Sequence, residues 1–319
     1  MKQKRPQLLP TRRLRSFVEK LIRLLDRLPL VGPFIRGPEP TERSEVALTL
    51  VIPLHPKDLW IASHAVSFAR ENLWHPIEEI LVVSPRDEEI QAWIEKANLV
   101  WVAESEVLNY SKKYVEDSLP ESLQDRSGWI FQQLLKFGLV SRIKTEAFLV
   151  IDADTLLLRP KVFLQDGVPH LGYSHERNLL YQKSYRYLLG QRCRSLRSYV
   201  THFMFGEKTI VKELLDCIEK KSGKPWDQTI IDLATSEIWT ERERSIWPFN
   251  YFSEYETYAN FSLGHYKKVK RAYFRNHGAR EYDPRIEGVS DYVSRLPVFF
   301  QWASFHSYYD YQEELCEED

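Results

Sequence analysis

Four short runs along the chain are almost wholly apolar: "VALTLVIPL" (46–54), "EEILVVSP" (78–85), "LVWVA" (99–103) and "AFLVI" (147–151). Strict alternation would mark strands wet on one face, whereas continuous runs of this kind mark strands covered on both faces, the habit of parallel sheets. Segments with helical spacing lie between them: "KDLWIASHAVSFAREN" (57–72), "DEEIQAWIEKAN" (87–98) and "GWIFQQLLKFGLVSRI" (128–143). Strand and helix therefore alternate, and such units join parallel strands through right-handed crossovers. The pattern predicts an α/β domain with a mostly parallel central sheet flanked by helices. Ser127 or Gly128 is the expected cap of the third helix, which would leave its N-terminus open to an anion.

A different pattern opens the chain. Leu14, Phe17, Val18, Leu21, Leu25 and Leu28 recur at steps of three and four among Arg15, Lys20, Arg23 and Arg27, which predicts a basic amphipathic helix stopped by Pro29. "RGPEPTERSE" (36–45) reads as a linker. Residues 1–45 thus form a helix and linker, and 46–319 a domain that the 319-residue length and 43% hydrophobic content can sustain. Residues 1–36 hold ten Lys/Arg against Glu19 and Asp26, so a net charge of −1 for the whole leaves the remainder acidic. An acidic body excludes the phosphate-neutralising surface of a nucleic-acid binder. The basic stripe of residues 12–35 suits an anionic membrane surface, or else packs on the body or a second subunit.

Cys193, Cys217 and Cys316 form an odd set without a close pair or metal-ligand spacing, which argues against a disulfide framework and a zinc finger. No apolar run reaches the roughly 20 residues of a spanning helix, and the N-terminus lacks a signal-peptide core. The expected location is the cytoplasm, peripheral on the inner face of the membrane through the helix.

The candidate chemistry lies at the end of the fourth strand, in "FLVIDADTLLLRP" (148–160). Asp152 and Asp154 are two apart on extended chain, so both carboxylates point one way, at the carboxyl edge where open α/β sheets bind ligands. Two anions so placed repel unless a cation compensates them, and Mg2+ or Mn2+ held by one or two carboxylates plus substrate phosphates is a recurring solution. The plainer reading is a strand-end pair that caps the next turn or pairs with Arg159. On the preceding helix Gln132 and Lys136 share a face with Gln133 beside them, suited to a base, ribose or diphosphate, or simply to solvent.

"VIDADTLLLRP" (150–160) and "PWDQTIIDLA" (225–234) resemble segments of GT-A-fold glycosyltransferases. "GWIFQQLLKFG" (128–138), "FSEYETYANF" (252–261) and "FRNHG" (274–278) bring the chain closer still to a little-characterised bacterial group of glycosyltransferase-like proteins. The resemblance spans residues 46 to about 310. It implies a GT-A-like domain with a nucleotide-binding half (46–165) and an acceptor half (166–319), and transfer from a nucleotide sugar to a carbohydrate or glycolipid acceptor, as in cell-surface polysaccharide synthesis. Asp152 and Asp154 would hold Mn2+ or Mg2+ on the diphosphate, with Asp152 also counted among the donor-binding residues Gln132, Gln133 and Lys136. Asp227 would lie by the transferred sugar, its alternative being a helix cap. His277 would be a third metal ligand, with His306 the other candidate and a structural histidine the alternative. Glu254 and Glu256 sit among aromatics, a setting that suits an acceptor sugar, and Glu254 would be the general base if the anomeric centre inverts. No H-x-x-G-x-x-K-P-W stretch follows His277, so retention and inversion both stay open. Thr155 falls one residue too early for a haloacid-dehalogenase-like phosphatase, and "IPLHPKD" is not the Gly-rich loop of a sugar nucleotidyltransferase. A non-catalytic scaffold that keeps the fold is the remaining alternative.

Overall fold

The structure, a computed structural model, describes residues 40–174, 176, 178–246, 249–278 and 288–305. The N-terminal basic helix, His306 and Cys316 lie outside the described residues. Five strands form the central sheet: β1 (Leu48–Pro53), β2 (Ile77–Ser84), β3 (Val100–Ala103), β4 (Ala147–Ile151) and β8 (Phe203–Glu207), in the order β3-β2-β1-β4-β8. The first four are parallel, as expected, with Leu50 registered on Leu149 of β4 and on Ile80 of β2. The fifth, β8, runs antiparallel to β4 and pairs Phe203 with Ile151.

The continuous apolar runs have a direct structural reason. Side chains alternate across a strand, so Val51, Leu81, Val83, Phe148 and Val150 enter the core on one face, while Leu50, Ile52, Val82, Leu149 and Ile151 enter the core on the other. The first face is covered by α3 (Ser127–Gly138), α4 (Leu179–Leu189), α5 (Lys208–Ser222), α6 (Trp226–Asp232) and α7 (Glu254–Ser262). The second is covered by α1 (Leu59–Asn72) and α2 (Glu88–Lys96), the latter capped by Asp87, whose carboxylate accepts from Ile90 N at 3.0 Å.

The start of α3 differs from expectation. Ser127 is the first helical residue rather than a cap, because a 3-10 turn over Glu121–Arg126 runs straight into the helix and carries the Ser127 N–H to Gln124 O. The turn occupies the place of the open, capped N-terminus that would favour an anion.

Two smaller sheets close the domain. β5 (Thr155–Leu157) pairs antiparallel with β11 (Trp302–Ser304), which pairs with β10 (Asn276–Gly278). β7 (Val168–Tyr173) lies between β6 (Leu164–Gln165) and β9 (Lys270–Tyr273). Residues late in the chain therefore build directly onto the segment that follows Asp152 and Asp154. Among the described residues, no helix is long and apolar enough to cross a membrane.

One hydrogen-bond pair in this frame makes the fold acid-sensitive. Buried His75 accepts the Phe163 N–H on Nε2 at 2.8 Å, so its Nδ1 must carry the proton donated to Val46 O, also at 2.8 Å. Both ring nitrogens are committed in the neutral form, and protonation would break the Phe163 bond. Burial holds the His75 pKa below its ordinary value despite the Val46 bond, and burial followed by Lys270 brings His170 down to about 4. With folded values below 6.5, the unfolded chain takes up protons first, so stability is complete above pH 6.5 and falls as pH drops toward about 4. Urea midpoints across that window are expected to decline, and less steeply in His170→Gln; a slope unchanged by that substitution would remove His170 from the account.

Candidate active site

The antiparallel return of β8 sets its first residues beside the last of β4. Asp152 N donates to His202 O at 3.1 Å, and His202, at φ 56°, turns its ring so that Nδ1 lies 3.5 Å from Asp152 Oδ2. On the other side, Thr155 N closes a tight turn onto Asp152 O at 2.9 Å, and the chain leaves into β5. Asp152 and Asp154 are thereby held on a turn at the carboxyl edge of the central sheet, both half-buried.

Lys136 reaches this edge from α3 and is 2% exposed. Its ammonium donates to Asp152 Oδ1 at 2.7 Å, Glu254 Oε1 at 2.8 Å and Tyr255 Oη at 2.7 Å. An ammonium has three protons, and all three go to protein acceptors. Tyr255 passes its own proton to Asp152 Oδ2 at 2.9 Å, completing a closed ring of charge-assisted bonds. Burial opposes the Lys136 charge, but Asp152 and Glu254 outweigh it and hold its pKa above the ordinary lysine value. Burial likewise opposes the Asp152 charge, and Lys136 and then His202 overcome it, so this carboxyl stays well below the usual range. Burial pushes Glu254 up, and Lys136 offsets this only in part.

Gln133 and Lys136 act together on the start of α7, since Gln133 Oε1 accepts from Glu254 N at 3.2 Å. Residues three apart share a helix face, which is why one turn of α3 can grip both the backbone and the carboxylate of Glu254. Gln132, one position back, is half-buried and outside this contact.

Glu256 is turned the other way. Its carboxylate accepts from Tyr199 N at 3.0 Å and Asn260 Nδ2 at 3.2 Å, while Asn260 Oδ1 accepts from Ser195 N at 3.1 Å. Glu256 and Asn260 thus pin the 195–199 segment that leads to His202, and burial raises the Glu256 pKa. Glu256→Ala strands the buried Tyr199 N–H and one Asn260 proton, and is expected to lower stability by about 2–3 kcal/mol. Glu256→Gln, which keeps an acceptor for Tyr199, should lose less; equal urea midpoints for Glu256→Ala and the unsubstituted protein would rule the clamp out.

Asp154 receives the Thr155 hydroxyl at 3.2 Å, and that hydroxyl meets Ser304 Oγ at 3.0 Å. Phe305 N donates to Asp154 O at 2.8 Å, so the late strand β11 fixes the position of this turn. The Lys136 and Tyr255 donors go to Asp152 rather than Asp154. His277 lies on β10, with Nε2 2.6 Å from Tyr292 Oη and its ring against Phe300. Asp227 lies in the first turn of α6, where it takes Gln228 N at 2.8 Å; with Gly138, Ser141 and Trp226 it lines a separate hollow of about 350 Å³. The residues Asp152, Gln133, Lys136 and Glu254 therefore come together, while His277 meets Tyr292 and Phe300 and Asp227 lines the separate hollow. Among the described residues, no group of three or more His, Cys, Asp or Glu side chains stands ready to hold a metal ion. Tyr255 and His202 are the members that the sequence reading did not single out. Tyr255 stood inside the noted "SEYETY" run, between the two glutamates, whereas His202 carried no local signal.

A mostly parallel sheet with an acidic pair on the turn at its carboxyl edge defines an α/β protein of the kind that receives ligands at that edge. The chain belongs to DUF6492, a family of unknown function, which it matches over residues 65–309. No curated protein matches it. Among solved structures it is similar to the galactosyltransferase LgtC in complex with donor and acceptor sugar analogs, at 13% identity and a TM-score of 0.41, covering 81% of this chain and 87% of that one. It is also similar to apo mouse xyloside xylosyltransferase 1, at 11% identity and 0.37, covering 83% of this chain and 99% of that one. A third similarity is to glucosyl-3-phosphoglycerate synthase from Mycobacterium tuberculosis in complex with Mn2+, uridine-diphosphate and phosphoglyceric acid, at 11% identity and 0.31. It covers 54% of this chain and 57% of that enzyme.

Proposed function

We propose that this protein is a glycosyltransferase of GT-A type that moves a sugar from a nucleotide-sugar donor to a carbohydrate or glycolipid acceptor at the carboxyl edge of its sheet. The observation that carries the reading is the Asp152–Ala153–Asp154 turn at the end of β4. The donor set fits a hard divalent cation that needs few protein ligands: two carboxylates on one turn, with water and substrate phosphates completing the shell. Asp154 and the remaining lone pairs of Asp152 would hold Mn2+ or Mg2+, which when bound neutralises charge on a leaving diphosphate. Lys136, Tyr255 and His202 are positioning residues that keep Asp152 ionised and in one orientation, so no side-chain reorganisation is needed when the donor arrives. Gln133 and Glu254 fix the α3–α7 corner that carries Lys136 and Tyr255.

One observation favours a second reading. Lys136 already neutralises Asp152 from within, as it would in a non-catalytic scaffold that keeps the cluster for stability alone. Thermal unfolding with nucleoside diphosphates and nucleotide sugars, with and without Mn2+, separates the two. A ligand at 100 times its dissociation constant adds about 2.7 kcal/mol, so transfer chemistry requires a cation-dependent rise with at least one base. A flat response to the whole panel would leave the scaffold.

A further inference from the structure

Apart from the D-x-D edge, the segment that Glu256 and Asn260 pin carries a second feature. Leu196 is 78% exposed, yet its backbone is not loose: Ser195 N is held by Asn260 Oδ1 at 3.1 Å, and Arg197 N donates to Ser195 Oγ at 3.0 Å. An apolar side chain is thus presented outward on a fixed tip, between Arg194 and Arg197. The Arg194 guanidinium lies over Gly264, where an added Cβ would come within 3.0 Å of it, and Arg197 stacks on Tyr173 at 4.0 Å. Tyr173 pairs with Tyr273 of β9 and meets its ring at 5.7 Å; Tyr273 is 39% exposed. Arg271 donates to Tyr199 Oη at 3.2 Å. These contacts bring the tip together with exposed Lys267, Lys268 and Arg271, whereas Lys270, next to Arg271 on β9, points to the other face of that strand beside His170.

Among the described residues, none of Arg194, Arg197, Lys267, Lys268 and Arg271 forms an ion pair with a carboxylate, although the chain beyond its first 36 residues is net acidic. Of the acidic groups at the margin, Glu207 takes the Tyr266 hydroxyl, Glu213 lies 3.9 Å from His265, and exposed Glu176 follows Ser174, which bridges Ser198 beside the tip. Unpaired cations around a fixed apolar tip, with a tyrosine alongside, form the pattern of a surface that rests in the headgroup layer, where cations meet lipid phosphate and the leucine enters the acyl boundary. A polynucleotide would match the cations but would want free aromatic faces for its bases. Arg197 covers Tyr173, and Leu196 would have no partner there.

We infer that the 194–197 tip and the 267–271 run form a docking surface for an anionic phospholipid membrane. The inference concerns different residues from the N-terminal basic segment and holds whether or not the D-x-D edge binds a nucleotide. Co-sedimentation of the full chain with phosphatidylcholine vesicles, with and without about 30% phosphatidylglycerol, tests it. The expected result is binding that requires the anionic lipid and weakens with salt. Each cation near the surface contributes about fivefold, so Lys267→Glu/Lys268→Glu should lower partitioning at least tenfold. Leu196→Ser should lower it several-fold at unchanged charge. Neither variant touches a packed side chain, so both should melt with the unsubstituted protein. Partitioning unchanged in both variants would overturn the inference and assign any binding to residues 1–36. Indifference of the full chain to phosphatidylglycerol would overturn it too, as would single-stranded polynucleotide bound as tightly as vesicles and lost in the same variants.

Discussion

Lys136→Met is expected to destabilise the fold by about 3–5 kcal/mol, read as a fall in the urea midpoint, because it removes the cation that faces buried Glu254 and half-buried Asp152 at once. The ammonium is 2% exposed and gives one proton each to Asp152, Glu254 and Tyr255. A methionine fills much the same volume and can donate none of them. Glu254, also 2% exposed and already raised in pKa by burial, would have to take up a proton or draw in water. Much of the loss is therefore a penalty on the groups left behind rather than the net value of the ion pairs. The distinction is measurable: Lys136→Met/Glu254→Gln should regain part of the stability, since a neutral amide beside methionine leaves less charge uncompensated. Lys136→Arg should not substitute freely, because a planar guanidinium cannot direct three protons to the same three oxygens. A midpoint for Lys136→Met within about 1 kcal/mol of the original would mean that the ring of bonds contributes little.

The same ring shows where sequence pattern stops informing. β1, β4 and the second half of β2 were legible because a strand buried on both faces must be largely apolar, and the helices between them because their stripes repeat at three and four; β3 is equally apolar but is an edge strand with Val100 43% exposed, against the expectation of cover on both faces. β8 was not legible, since Gly206 and Glu207 end its run after three apolar residues, and its antiparallel direction depends on where α4 delivers the chain. That direction is what brings His202 to Asp152. Local spacing put Gln132 and Lys136 on one face of α3 with Gln133 beside them, but could not say whether that face met solvent or protein, and it is Gln133 rather than Gln132 that joins Lys136 at Glu254. The partner is Glu254, 118 residues further on. Glu254 and Glu256, read together as facing a sugar, point to opposite sides: one meets Lys136, the other the backbone of Tyr199. Two helical residues two apart diverge by about 200°, so one motif serves two clusters.

Asp152→Asn and Asp154→Asn are expected to fail in different ways, and the difference bears on the proposed chemistry. An amide at position 152 keeps one oxygen for Lys136 but turns an N–H2 toward the Tyr255 hydroxyl or His202, and leaves Lys136 with a single compensating charge. Its stability should fall by about 2–3 kcal/mol, with any loss of transfer confounded by that change. At position 154 the Thr155 hydroxyl donates to the carboxylate, and an amide oxygen still accepts it, so Asp154→Asn should stay within about 1 kcal/mol of the original fold. A neutral amide binds a hard cation far more weakly than a carboxylate. If the turn holds Mn2+ or Mg2+ on a departing diphosphate, transfer should drop at least about 100-fold, about 2.7 kcal/mol of barrier, with the cation-dependent nucleotide response lost in parallel. A stable Asp154→Asn protein that still shows the full cation-dependent response would separate the acidic turn from donor binding. In that case the charge on Asp152 would be explained by Lys136 and His202, and the cluster would be a structural device at the sheet edge.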